Sequence, residues 1–424
     1  MIKQFKSDLL GEQYTAIRHK SGLSVYVFPK KMTSAYALLA TDFGAVDNAP
    51  VGGLAVPDGV AHFLEHKLFE CEDGTDAFER FSALGADANA YTSHTRTVYL
   101  FSCTEHFGEA LGELVDFVTH PYFTKKSVKK EQGIIAEEIR MCRDNPYDTC
   151  YYNMLGGLYA NHPVKTDICG SVASIGQITP EVLYAVYRTY YQLSNMALVV
   201  CGDVTAEEVL EVVDRHLAPA ERAPKPPRTV TLEAPEAVQS RTVGYGQVAK
   251  PIFSIGIKDT VIPEDPTERL RRDAGMAILC EMLFSESGEL YNALFDEGLI
   301  SPELSADYAL TRDFAFVQIS GEASDPEAVL ARVLSYLDKV KASGLSPEDF
   351  ERARRIEYAE YIKSFDSTEE IANTLLSFVF EGADLFSYAD VLQGIDLAYV
   401  QGLLFEVFQA SHVTLSVILP KEEQ

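Results

Sequence analysis

Gly85-Ala86-Asp87-Ala88-Asn89-Ala90-Tyr91-Thr92 is continued by Thr97-Val98-Tyr99-Leu100-Phe101-Ser102 and then by a helical run over 107–118. The β-branched and aromatic residues read as paired strands, and the change of apolar spacing reads as a helix. The order recurs further on. Leu304-Ser305-Ala306-Asp307-Tyr308 leads to Phe314-Ala315-Phe316-Val317-Gln318-Ile319-Ser320, and a helical run follows over 327–340. Each half also closes alike. A helix opening at Ile178-Thr179-Pro180 leads to the apolar strand Met196-Ala197-Leu198-Val199-Val200-Cys201, and one opening at Ile395-Asp396 leads to His412-Val413-Thr414-Leu415-Ser416-Val417-Ile418-Leu419. Strands interleaved with runs of helix predict an α+β fold used twice.

Between the repeats lies a segment with Pro219, Pro224, Pro226, Pro227 and Pro235, a composition that favours extended chain. The expected organisation is a first domain over 1–215, a linker over 216–245 and a second domain over 246–424. A length of 424 residues, 47% of them hydrophobic, suits two or three cores and excludes a disordered or collagen-like chain. The formal charge of −27 repels polyanions, and no Lys/Arg cluster stands against it, so no nucleic-acid partner is expected. Seven cysteines form no C-x-x-C pair and read as buried, reduced thiols. The first eight residues carry charges where a signal peptide needs an apolar core. With no run near the roughly 20 apolar residues of a membrane span, a soluble cytoplasmic protein is expected.

The chemistry starts at Pro57-Asp58-Gly59, ahead of Val60-Ala61-His62-Phe63-Leu64-Glu65-His66-Lys67-Leu68-Phe69. Asp58 is a candidate helix cap, and Val60, Phe63, Leu64 and Leu68 form an apolar stripe. His62, Glu65 and His66 share another face. Two imidazoles four residues apart on a helix can hold one metal ion, and Zn²⁺ suits them. Glu65 between them is placed to serve as general base. Such a pair with an intervening Glu arises by chance in roughly one chain in a hundred. A third ligand must come from elsewhere. A helix over 127–141 carries Glu131 and Glu138 two turns apart on one face, with Glu137 pointing away.

With these residues in view, the chain resembles the pitrilysin/insulinase (M16) family of zinc metallopeptidases with the inverted H-x-x-E-H motif. It is especially similar to bacterial members of this length that are encoded as pairs. The resemblance implies two homologous α/β-roll domains arranged as a clam shell. It implies zinc on His62, His66 and Glu138, with Glu65 activating the water and Glu131 supporting the site. Glu138 stands 72 residues beyond His66, the family spacing. It further implies a peptide substrate held as an added strand along Asn89, Ala90 and Tyr91.

The second half departs from the pattern. Ala277, Cys280 and Glu281 stand where His62, Glu65 and His66 stand in the first, so that domain is expected to be non-catalytic. Relatives that complete the site from this domain carry an Arg and a Tyr near a Gly-Leu step. Here Phe295 and Ser301 occupy those places. The expectation is therefore a heterodimer in which a related subunit supplies the Arg/Tyr pair. The alternatives are compensation by Tyr308 or Arg312, a pair that is dispensable, or a peptide-binding or assembly subunit with little activity of its own.

Overall fold

Met196–Gly202 is buried along its whole length, as a continuous apolar run should be when both faces of its sheet are covered. The computed structural model describes residues 2–226, 228 and 231–421. Pro227, Thr229 and Val230 of the expected linker lie outside the described residues.

The chain forms two compact units. The first comprises Met1–Ile139, Asp167–Thr229 and Ile362–Phe386. Its strands are β1 (Ile2–Ser7), β2 (Glu12–Arg18), β3 (Ser24–Pro29), β4 (Ala35–Thr41), β5 (Asp87–Thr92), β6 (Thr97–Cys103) and β7 (Met196–Gly202). They lie in the order β1-β2-β3-β7-β4-β6-β5, antiparallel except for β3 beside β7. Helix Phe107–Thr119 packs against β4 and β6, and helix Thr368–Glu381 packs against β4 and β7.

The second unit comprises Arg140–Thr166, Val230–Tyr361 and Ser387–Gln424. Its strands are β8 (Arg241–Gly246), β9 (Ile252–Asp259), β10 (Ile300–Leu310), β11 (Ala315–Ala323) and β12 (Val413–Pro420), in the order β10-β11-β9-β12-β8. Here β12 and β8 are the parallel pair. Helix Pro146–Leu158 packs on β9 and β12.

Strand for strand, β5-β6-β4-β7-β3 repeats as β10-β11-β9-β12-β8, so the sequence repeat is a repeat of topology. Each unit also takes in one helix from the other half of the chain. Thr368–Glu381 lies on β4 and β7 of the first sheet, and Pro146–Leu158 lies on the matching β9 and β12 of the second.

Two expectations are corrected. Asp58 does not cap the motif helix; its carboxylate accepts from Asn48 Nδ2 at 3.1 Å, and Gly59 takes the cap position with a φ of 90°. None of the seven cysteines is in a disulfide, but Cys71, Cys142 and Cys169 are half-exposed rather than buried, because they sit at element ends and in loops. Among the described residues no helix is long and apolar enough to cross a membrane.

Candidate metal centre

The motif helix, Val60–Leu68, is buried on nearly every side; of its nine residues only His66 is half-exposed. Phe63 and Leu64 are fully enclosed in the core of the first unit. Burial of side chains this size stabilises by roughly 1.5–3 kcal/mol each, which holds the helix axis and fixes where its polar face looks. Lys67 is also fully buried and pairs with Glu70.

Across from it, helix Lys125–Asp144 buries Val128, Ile135, Ala136 and Ile139 and turns Glu131 and Glu138 toward the histidines. His62 Nε2 lies 3.4 Å from Glu138 Oε1, and His66 Nε2 lies 3.5 Å from Glu138 Oε2. The two imidazole rings are 4.6 Å apart between centroids. His66 turns its other nitrogen, Nδ1, to Glu131 Oε1 at 3.1 Å. Glu65 Oε2 accepts from Thr92 Oγ1 at 2.5 Å, tying the motif helix to the end of β5. Glu137 is exposed.

The donor set fits a divalent ion. Four-coordinate zinc with bonds of about 2.0–2.1 Å to N and O sets neighbouring donors about 3.3–3.4 Å apart, close to the His62–Glu138 and His66–Glu138 spacings. Among the described residues, the group whose donor atoms all lie within 4.8 Å of one another is His62, Glu138 and Cys169, and His66 joins it at the other oxygen of Glu138. His62 is buried, and its Nδ1 has no hydrogen-bond partner among the described residues. The electrostatics agree. Burial opposes charge on His66, but the Glu131 hydrogen bond and the charges of Glu138 and Glu65 outweigh it and raise its pKa. Contact with His62, and the charge of His66, hold Glu138 below the usual carboxylate value despite partial burial. Three carboxylates around two imidazoles make a place that favours positive charge.

β5 is the last strand of its sheet and, among the described residues, pairs with β6 alone. Ala88 and Ala90 face the core, while Asn89 and Tyr91 are exposed. Asn89 Oδ1 accepts from the Ala90 amide at 2.8 Å, and Tyr91 Oη donates to Asn373 Oδ1 at 2.9 Å. Two further residues escaped the sequence reading. Thr92 carried no signal beyond its place in a strand. Cys169 sits with Sγ 4.0 Å from His62 Nε2, although a hundred residues separate them.

In the second unit, Ala277, Cys280 and Glu281 lie on helix Pro266–Phe284 and line a cavity of about 500 Å³ together with Asp273, Asp307 and Glu357. Glu281 lies 3.4 Å from an Arg352 guanidinium nitrogen. Phe295 is exposed and stacked on Tyr291, and Ser301 bonds to Lys250 and Glu322. Tyr308 donates to Asp259 Oδ2 at 2.6 Å, and both oxygens of that carboxylate accept from Arg272 at 2.8 Å. Its hydroxyl is thus committed to a buried ion pair. Arg312 lines a separate cavity of about 660 Å³ with Lys258, Arg269 and Asp313.

Residues 56–171 match the family described as Insulinase (Peptidase family M16), and residues 177–357 match the Peptidase M16 inactive domain. The chain is 37% identical over 430 residues to a Bacillus subtilis protein described as an uncharacterized zinc protease, YmfH, covering 99% of this chain and 100% of that one. Its fold matches the crystal structure of an M16-like peptidase from Alicyclobacillus acidocaldarius with a TM-score of 0.92 at 33% identity, over 98% of this chain and 100% of that one. A protease from Helicobacter pylori shares the fold at a TM-score of 0.82 and 19% identity, over 96% and 100% of the two chains. With near-complete coverage by a relative this similar, the chain belongs to peptidase family M16.

Proposed function

We propose that this protein is a zinc-dependent endopeptidase that cleaves short or unfolded peptides in the cytoplasm, as the metal-bearing subunit of a heterodimer. The observation that carries the reading is the convergence of His62, His66 and Glu138 beside a Glu65 that is bonded to the end of an open edge strand. His62, His66 and Glu138 would hold the ion. When bound there, zinc supplies a Lewis acid for the scissile carbonyl and acidifies the attacking water.

The chain's own groups do the rest. Backbone groups on the free side of β5 bond the peptide as an added strand, which selects extended conformation over a long sequence motif. Asn89, Ala90 and Tyr91 form the middle of that strand. Thr92 holds one oxygen of Glu65, so the other is the one that takes the proton from water and returns it to the leaving amine. Glu131 fixes the ring of His66 from behind through Nδ1.

Phe295 and Ser301 offer neither guanidinium nor phenol to orient a peptide carbonyl, and Tyr308 is engaged with Asp259. A related subunit carrying an Arg/Tyr pair would supply them. The same gap favours the second reading, a peptide-binding or assembly subunit with little activity of its own.

The test is digestion of unfolded peptides by the purified chain and by Glu65→Gln, each with and without its paired relative, alongside metal analysis. Cleavage that needs the relative and Glu65, with metal retained in the variant, is the expected result. Cleavage by the chain alone at an unchanged rate removes the heterodimer. Cleavage that survives in Glu65→Gln removes the mechanism, and no cleavage by any combination leaves the binding subunit.

A further inference from the structure

Cys169 is held against the motif helix by its backbone. Its amide donates to Asp167 Oδ1 at 2.9 Å, and the Gly170 amide donates to Asp167 O at 2.8 Å, which closes a tight turn. Two glycines with positive φ let this turn press on the start of the helix. A Cβ on Gly59 (φ 90°) would stand 2.5 Å from the Cys169 carbonyl oxygen, and one on Gly170 (φ 74°) would stand 2.5 Å from the Asp58 carbonyl oxygen. Any larger residue at either position forces the two segments apart. The half-exposed thiol is therefore delivered to one spot.

That spot belongs to the metal centre. A His62 ring nitrogen, Cys169 Sγ and a Glu138 carboxylate oxygen all lie within 4.8 Å of one another. His62 is more than nine-tenths buried and aims Nε2 into the group. Around four-coordinate zinc, with a sulfur bond of about 2.3 Å and a nitrogen bond of about 2.0–2.1 Å, the S···N edge is about 3.5–3.6 Å. The observed 4.0 Å needs a closure of about half an ångström, within reach of a small side-chain rotation.

We propose that Cys169 is a displaceable fourth donor, a thiolate that occupies the position a catalytic site keeps open and closes the resting centre. This deepens the reading above and rests on His62, His66 and Glu138 holding a divalent ion. Binding the sulfur releases the thiol proton to solvent. Entry of a peptide then requires the thiolate to leave, so the resting chain is latent.

Cobalt(II) separates the two claims in the full-length protein. Visible d–d bands at one equivalent report a held ion, and a near-ultraviolet thiolate-to-cobalt charge-transfer band reports the sulfur. Both are expected in the unaltered chain, the d–d bands alone in Cys169→Ala, and neither in His62→Ala. Visible bands without charge transfer in the unaltered chain overturn the thiol proposal and leave the metal site standing. A charge-transfer band that persists in Cys169→Ala assigns it to another cysteine, with the same consequence. No cobalt binding overturns both. Alkylation followed by peptide mass mapping gives a second readout: zinc should slow modification of Cys169 several-fold, and a chelator should restore it. Equal rates with and without zinc count against the proposal.

Discussion

The same corner of the fold occurs in both units and holds opposite chemistry. In the first, the face of Val60–Leu68 sets two imidazoles against the carboxylate of Glu138, with Glu131 behind one ring. In the second, helix Pro266–Phe284 sets Ala277, Cys280 and Glu281 toward a cavity that also holds Asp273, Asp307 and Glu357. Imidazole facing carboxylate is a donor set that a cation completes. Carboxylate facing carboxylate is a set in which the members oppose each other's charge: burial, then Glu281 and Glu360, push Glu357 up to about 7. One backbone arrangement thus serves either outcome, and a few side chains decide which.

The widest break in this comparison is metal content. His62→Ala removes a donor that the second unit cannot replace, so bound zinc should fall from one equivalent to none. Cys280→Ala should leave the content at one. Elemental analysis of the dialysed proteins decides it, and a full equivalent in His62→Ala would erase the distinction between the units. Next in size is the base. Glu65→Gln should keep the metal and lower kcat by about 10²–10⁴-fold, the usual contribution of a positioned acid–base group.

Much of that contrast was legible in the sequence, and the reasons are local. The histidines and Glu65 lie within five residues on a helix marked by its apolar stripe, and Glu131 and Glu138 share a helical face. Alternation placed β5 and β6, and the repeat of that pattern gave the second sheet. What escaped the reading depends on contacts that no spacing encodes. Cys169 reaches His62 only because two glycines let a distant turn press on the motif helix. Thr92 finds Glu65 only once β5 has taken the sheet edge. Asn373 meets Tyr91 because a helix late in the chain packs on the first sheet, a choice of partner that local periodicity leaves open.

A subtler difference is the support behind the ligands. Glu131 accepts from His66 Nδ1 and fixes which nitrogen faces the centre, whereas Glu281, which stands where His66 stands in the first unit, is drawn to Arg352. Glu131→Gln keeps the shape but weakens the acceptor, and zinc affinity should drop about 10–100-fold, measured by competition with a chromophoric chelator. Unchanged affinity would mean that the ring is held by packing alone.

The smallest expected effect lies on the other side of the comparison, where the second unit bears the cost of its crowded carboxylates. Glu357 has a folded pKa of about 7 against an ordinary value of 4.5, so the folded state holds its proton more tightly than the unfolded state does. Its contribution to stability is fully present below about pH 4.5 and is lost as pH rises through 7. The side chain remains partly exposed, so the full linkage value is discounted to about 1–2 kcal/mol. Glu357→Gln removes the charge without changing the shape. It should raise Tm by a few degrees at pH 8 and leave it unchanged at pH 4.5, read from thermal melts of the two proteins in parallel. An equal gain at both pH values would trace the effect to packing. No gain at pH 8 would show that Glu357 carries its charge there at no cost, and that the second unit's corner is not the electrostatic opposite of the first.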